Sequence, residues 1–198
     1  GLNGQYCWDD TGVVYTNPIP KRDVELLLNF VLESEYGCEF LGAHEYFANR
    51  LTPEMKAELD RVAIVYPTVT DNPRRALEID ILQADLYVEP GADLAILRKM
   101  TSCKWSFGGL TSIDIMVATG GKWNGVRKMM ERHGLSMDEI MVFGDEENDV
   151  EMLRNARFSV AMGNGCDNAK AAAKHVASHL DEDGLFFAMR ALLPQLSL

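Results

Sequence analysis

The sequence contains no C-x-x-C pair: Cys7, Cys38, Cys103 and Cys166 are scattered, and none stands at metal-ligand spacing with His44, His133, His175 or His179. The cysteines therefore read as reduced, mostly structural thiols. Positive charge is also scarce, with 19 basic against 30 acidic residues and a formal net charge of −11. That balance lacks the electrostatic footprint needed to grip a nucleic acid or an anionic membrane surface, so neither is expected as a partner. A small anion can still be held where a few cations, backbone N–H groups or a metal ion converge. No apolar run approaches the ~18–20 residues of a membrane span. No basic segment leads into an apolar one at the N-terminus, so a cytoplasmic protein is the expectation. There is no repeat, no low-complexity stretch and no initiator Met; Gly1 runs at once into strand-like sequence, and the start reads as a cut.

What is present suits a packed globular chain. The 198 residues are 47% hydrophobic and 25% charged, enough apolar material for one large domain or two small ones. Residues 5–15 read as a hairpin around Asp9-Asp10-Thr11-Gly12. Residues 21–35 carry apolar side chains at helical spacing, with Gly37 placed as a C-cap. Extended segments follow at 38–47 and 63–66, a helix at 52–59 with Thr52 as N-cap, a strand at 82–88, a helix at 92–100 and a strand at 103–107. This first half is an α+β unit of mixed order. From about residue 110 the pattern becomes regular: strands at 114–117, 140–143 and 158–161 alternate with helices at 125–133, 149–155 and 167–174. Such alternation predicts βαβ units and a parallel sheet, closed by a last helix at 184–193.

Three segments carry candidate chemistry. The first is Gly144-Asp145-Glu146-Glu147-Asn148-Asp149, which follows the apolar run Ile140–Phe143. In parallel α/β sheets ligands gather at the carboxyl ends of strands, so Asp145 is placed where oxygen ligands could hold Mg²⁺. Acids there can equally serve only to cap a helix. The second is Gly120-Gly121-Lys122, one helix and one strand before Asp145 and so at the same sheet edge. Lys122 is a point charge suited to phosphate, although a solvated lysine before a helix is common. The third, Gly163-Asn164-Gly165, has Asn168 in the last glycine position of a dinucleotide fingerprint and is rejected as one. A P-loop fails as well, since position 116 is Met and Trp123 follows Lys122. No calcium-loop order and no G-x-S-x-G nucleophile elbow occurs.

Gly120-Gly121-Lys122, Gly144-Asp145-x-x-Asn148-Asp149-x-x-Met152-Leu153, Val160-Ala161-Met162-Gly163-Asn164 and Glu182-Asp183-Gly184, in this order, resemble the haloacid dehalogenase (HAD) superfamily. More closely they are similar to its Cof-like sugar-phosphatase branch, as is the opening Leu2-Asn3-Gly4-x-Tyr6 with Gly12 and Tyr15. The resemblance implies an α/β fold: the C-terminal half of a Rossmannoid parallel-sheet core (residues 111–198), an α+β (α/β-type) cap domain (21–110) and a core remnant hairpin (1–20). It implies Lys122 as the catalytic lysine touching phosphate, Asp145 as the catalytic magnesium ligand, Asn148 as a phosphate contact and Asp149 as a supporting acid in the metal's second sphere. The family's opening D-x-D-G-T, which holds the aspartate nucleophile and the acid/base, is absent; Asp9-Asp10-Thr11-Gly12 is an echo within a hairpin turn. The expectation is a Mg²⁺-dependent phosphomonoester hydrolase acting on a small phosphorylated, sugar phosphate-like metabolite. Its nucleophile would lie in a missing N-terminal segment or partner chain that completes the sheet beside Ile140–Phe143, and the 198 residues alone would be inactive. A non-catalytic Mg²⁺- and phosphate-binding module is the alternative, and a phosphomutase a third. Trp105, Phe107, Tyr46 and the Gln83–Asp85 strand could line a substrate pocket or could be core; none is assigned to specificity.

Overall fold

The computed structural model describes residues 1–195. The chain forms two compact units, Gly1–Tyr6 with Tyr15–Gly120, and Cys7–Val14 with the residues from Gly121 onward. A hairpin of β1 (Tyr6–Asp9) and β2 (Gly12–Thr16) opens the chain, and its tip belongs to the second unit.

The first unit is built on a five-stranded sheet. In chain order it contains α1 (Lys21–Glu33), β3 (Gly37–Leu41), β4 (Tyr46–Ala48), α2 (Pro53–Arg61), β5 (Gln83–Tyr87), α3 (Ala95–Lys99), β6 (Cys103–Phe107) and β7 (Ser112–Val117). The strands lie in the order β4-β3-β5-β7-β6, with every neighbouring pair antiparallel. Strand side chains alternate between faces. Cys38, Phe40, Ala84, Leu86, Ile113 and Ile115 are fully buried with Leu27, Leu28 and Val31 of α1 and Ile96 and Leu97 of α3. The helical spacing of the α1 leucines thus finds its partner in one sheet face. On the other face α2 packs Met55 and Leu59 against Ala48 and Tyr87. Helix α2 starts as expected, with the Thr52 hydroxyl accepting from Met55 N at 3.3 Å and Pro53 in the first turn.

The second unit holds α4 (Lys122–His133), β8 (Met141–Gly144), α5 (Val150–Asn155), β9 (Phe158–Ala161), α6 (Asp167–Ala172), β10 (His175–Val176) and α7 (Gly184–Leu192). Its sheet is parallel, in the order β10-β9-β8, with Met141 opposite Phe158 and His175 opposite Val160. Val142, Leu153, Ala156, Ala161 and Ala169 form its core. The α/β class, with one parallel and one antiparallel sheet, is the expected one.

Three local expectations are corrected. Strand 114–117 does not head the parallel series: β7 pairs antiparallel with β5 and β6, and the first unit continues to Gly120 instead of ending near residue 110. Asp114 standing between Ile113 and Ile115 is the alternation of a strand buried on one face, whereas parallel strands are apolar on both. Residues 63–66 form no strand, because Ala63 turns at φ 55° and leaves Ile64 and Val65 exposed. Gly37 opens β3 while Ser34 ends α1.

Candidate functional site

The site is assembled where three turns of the second unit meet. Lys122 is the first residue of α4, set there by Gly121, whose φ of 131° and ψ of 162° are strained for any residue with a Cβ. A cation at the positive end of a helix dipole is electrostatically misplaced, so it needs a partner. Asp149 is that partner: Lys122 Nζ lies 2.6 Å from Asp149 Oδ1 and 3.1 Å from Asn148 Oδ1. The lysine side chain is 32% exposed and the aspartate 3%, so the ammonium faces outward from a buried anchor.

Asp149 is fixed in turn by backbone. Its second oxygen accepts from Asp145 N at 3.0 Å and from Glu146 N at 3.3 Å, as the end of a short 3-10 turn over Glu147–Asp149. Gly144 makes room for this, because a Cβ there would stand 2.6 Å from Asp149 Cγ. Asp145 follows β8 directly and is half-buried. Its backbone is clamped by the glycine loop after β9: Met162 N donates to Gly144 O at 3.0 Å and Cys166 N to Asp145 O at 2.7 Å. A Cβ on Gly165 would come within 2.8 Å of Asp145 O. The loop that fails as a dinucleotide fingerprint therefore has a role, which is to set the position of Asp145.

Of the residues singled out in the sequence, Lys122, Asn148 and Asp149 are joined by their side chains, and Asp145 joins them through its N–H. Among the described residues no three His, Cys, Asp or Glu side chains stand together as a metal site. Both Asp149 oxygens already have donors, which leaves Asp145 as the carboxylate of this cluster open to a cation. One hard oxygen ligand falls short of what Mg²⁺ requires, so these residues alone do not make up its site. Asp9 is committed elsewhere: its carboxylate accepts from Thr11 Oγ1 at 2.5 Å, Thr11 N at 2.8 Å and Arg132 Nε at 2.9 Å. The Thr11 hydroxyl first, then Arg132, hold it well below the usual carboxylate range, as a turn-capping group. All four cysteines are free thiols, and no helix among the described residues is long and apolar enough to cross a membrane.

In the first unit, Tyr46, Gln83 and Asp85 line a cavity, whereas Trp105 and Phe107 do not; those two rings meet edge to face, 5.8 Å apart, on the end strand β6. Glu39, Tyr87 and Asp114 share the cavity and were not singled out from the sequence. The polar positions of Gln83-Ala-Asp85-Leu-Tyr87 at a period of two were the available signal.

A family profile described as haloacid dehalogenase-like hydrolase matches residues 1–189. The chain belongs to this family. It is 27% identical over 191 residues to the Bacillus subtilis (strain 168) protein named "Putative phosphatase YkrA", covering 96% of this chain and 73% of that protein. Over 77 residues, 39% of this chain and 28% of the other, it is 42% identical to the 5-amino-6-(5-phospho-D-ribitylamino)uracil phosphatase YbjI of Escherichia coli (strain K12). Among solved structures it is similar to the HAD subclass IIB sugar phosphatase BT4131, with a TM-score of 0.84 and 28% identity over 96% of this chain and 73% of that one. BT1666 from Bacteroides thetaiotaomicron, whose structure is described among the phosphatases of the HAD superfamily, gives 0.83 and 26% over 96% and 71%. These relatives agree with the Cof-like sugar-phosphatase branch that the motifs resemble.

Proposed function

We propose that this chain is the larger part of a Mg²⁺-dependent phosphomonoester hydrolase for small phosphorylated metabolites of the sugar-phosphate kind. The observation that carries the reading is the ammonium of Lys122, held at 2.6 Å by a buried aspartate directly beyond the carboxyl end of β8. Loss of a phosphoryl group through an aspartyl-phosphate needs a carboxylate nucleophile and positive charge around the transferring oxygens. Lys122 supplies charge and Asn148 an amide to those oxygens; Asp149 holds the lysine in place. When bound, Mg²⁺ would add charge neutralisation, with Asp145 among its ligands and the other oxygen donors coming from outside these residues. The nucleophile comes from outside them as well, in a segment or partner chain packed along β8, an end strand of its sheet. The 198 residues by themselves do not turn over substrate; the first unit, up to Gly120, acts as the cap and the second, from Gly121 onward, as the half-core of a soluble cytoplasmic enzyme.

A second reading, a binding module without turnover, draws on the engagement of Asp9 with Thr11 and Arg132, which takes the acid nearest in sequence to the family's nucleophile motif out of use. Both readings require phosphate to bind at Lys122; only the first requires phosphate release once a D-x-D-G-T segment is supplied. Lys122→Ala in the complete enzyme is expected to lower kcat by about 10²–10³-fold, as loss of an oxyanion donor does. Unchanged turnover in that variant refutes the role of Lys122, and binding of inorganic phosphate with no release from any phosphomonoester replaces the hydrolase by the binding module.

A further inference from the structure

The five-stranded sheet of the first unit treats its two edges differently. Edge strands present unpaired N–H and C=O groups and are ordinarily covered, charged or interrupted. At the β4 end the loop after α2 does the covering: Ala48 N donates to Thr68 O and Thr70 N to Ala48 O, both at 3.0 Å. At the other end β6, Cys103-Lys-Trp-Ser-Phe107, has no proline and a single charge, and the Lys104 ammonium is spent on Gly120 O. Bonds just past the strand ends fix which backbone groups stay open. Ala118 N donates to Ser102 O at 2.8 Å and Gly108 N to Ser112 O at 3.0 Å. In an antiparallel ladder positions 102, 104, 106 and 108 therefore bond to β7, and the N–H and C=O of Trp105 and Phe107 point away from it. Cys103 N, which shares their direction, is closed by Met100 O at 3.0 Å.

The side chains of these two residues are as open as their backbone. Trp105 stands opposite Ile115 and Phe107 opposite Ile113, on the face that α1 and α3 cover, yet they are 43% and 61% exposed. The core of the first unit thus runs out uncovered at this edge. Antiparallel pairing of two copies about a two-fold axis at Ser106 sets Trp105 opposite the second copy's Phe107, and Phe107 opposite its Trp105. Every open group then meets its complement in four N–H···O bonds, and each ring meets a ring across the seam, a favourable cross-strand pair. An axis at Trp105 would instead set Phe107 against Cys103, whose N–H is already taken. The four rings bury on the order of 400 Å² between them. With the strand edges the seam comes to on the order of 1,000 Å², where specific association begins. Lys104 lies on the opposite face from the rings, so a chain of net charge −11 meets its copy there without like charges in contact.

We infer that the first unit pairs with a second copy of this chain through β6, joining two five-stranded sheets into one of ten strands about a two-fold axis at Ser106. The inference stands on the first unit alone and is independent of the phosphatase reading. Its test is sedimentation velocity and amide hydrogen exchange on the 198-residue chain between about 2 and 200 µM, the range suited to a seam of this size. The chain is expected to pass from monomer to dimer, with the Trp105 and Phe107 amides slowing at least about tenfold. Lys104 and Ser106 amides, already bonded to β7, are expected to exchange slowly at both ends of the series. Ser106→Cys is expected to cross-link two copies under mild oxidation, since opposed residues of a non-hydrogen-bonded antiparallel pair stand about 4.5 Å apart at Cα, within disulfide reach. Lys104→Cys, off the axis, is expected not to. Phe107→Lys, a charge of the kind that guards edge strands, is expected to keep the chain monomeric with its fold intact. A monomer throughout overturns the inference, as does a dimer whose Trp105 and Phe107 amides exchange as fast as in the dilute chain, or cross-linking of Lys104→Cys in preference to Ser106→Cys. The exchange comparison uses the wild-type chain and decides even if a variant misfolds.

Discussion

Removing the Asp149 carboxylate tests whether the cluster at the end of β8 is held together as described. Asp149→Ala leaves Asp145 N and Glu146 N without their acceptor and takes the carboxylate from Lys122 Nζ, which keeps Asn148 Oδ1. A buried donor deprived of its partner costs about 1–3 kcal/mol. Asp145 is half-buried and Glu146 exposed, so water can reach these amides and the low end applies, about 2 kcal/mol for the pair. The ammonium, 32% exposed, rehydrates in part and adds about 1 kcal/mol. A total near 3 kcal/mol corresponds to a fall in Tm of about 6–12 °C for a chain of this size. Lys122→Met removes the ion pair and the hydrogen bond to Asn148 Oδ1 and leaves Asp149 its two backbone donors, so a loss of about 1–2 kcal/mol is expected. The double variant measures their coupling, expected near 1 kcal/mol, because the shared contact is lost only once. Thermal and urea unfolding of the four proteins supply the numbers. Additive effects, or a shift below about 2 °C for Asp149→Ala, would show that Asp149 does not anchor Lys122.

Three further outcomes are expected. Asp145→Asn keeps the backbone N–H and carbonyl contacts and should leave Tm within about 2 °C, while removing metal-dependent turnover of the complete enzyme by about 10²-fold or more; full activity in that variant would exclude Asp145 as a ligand. Gly165→Ala presses a Cβ to within 2.8 Å of Asp145 O, and overpacking of this kind costs about 1–3 kcal/mol, to be read as a lower urea midpoint; a midpoint equal to wild type would mean the loop yields freely. Asp9 is held ionised in the fold, so its stabilisation is present above the unfolded carboxylate value of about 3.9 and is lost as pH falls through the lower folded value. Thr11→Ala, which deletes the leading cause, should therefore lower Tm at pH 7 by an amount that shrinks toward about pH 2, and a gap that is constant with pH contradicts the assignment.

The cluster was legible in the sequence to the extent that it is local. Gly144-Asp145 and Asn148-Asp149 lie within one strand–turn–helix passage. The βαβ spacing expected to bring Lys122 to the same sheet edge does not apply, because β7, the strand before it, belongs to the antiparallel sheet, and Lys122 reaches Asp149 from the start of α4 instead. The hierarchy inside the cluster was not legible. Whether Asp149 supports a metal or a lysine depends on two oxygens choosing among donors a few ångströms apart, and spacing does not resolve that. The role of Gly165 was hidden for a similar reason, since its constraint is the backbone of Asp145, twenty positions earlier. Strand β7 shows the opposite failure. Its pattern was there to be read, with Asp114 interrupting an apolar run, but regular alternation of strands and helices downstream outweighed it.

The carboxylates at the end of β8 and those on β3 and β5 differ in what surrounds them, and that difference decides how each is held. Asp149 is buried and saturated: an ammonium on one oxygen, two amides on the other, and a helix start that needs its charge. Nothing further is required to make it stable, and it acts through Lys122. Glu39 and Asp85 are held by a phenol and an amide, without a cation, opposite each other and beside Asp114. Replacing such a pair by apolar residues would remove a repulsion but would leave Tyr87 Oη and Gln83 Nε2 without their acceptors. Burial and the neighbouring Asp114 push the Asp85 carboxyl well above the usual range, and burial raises Glu39, so uptake of a proton relieves the repulsion between them without any ion pair.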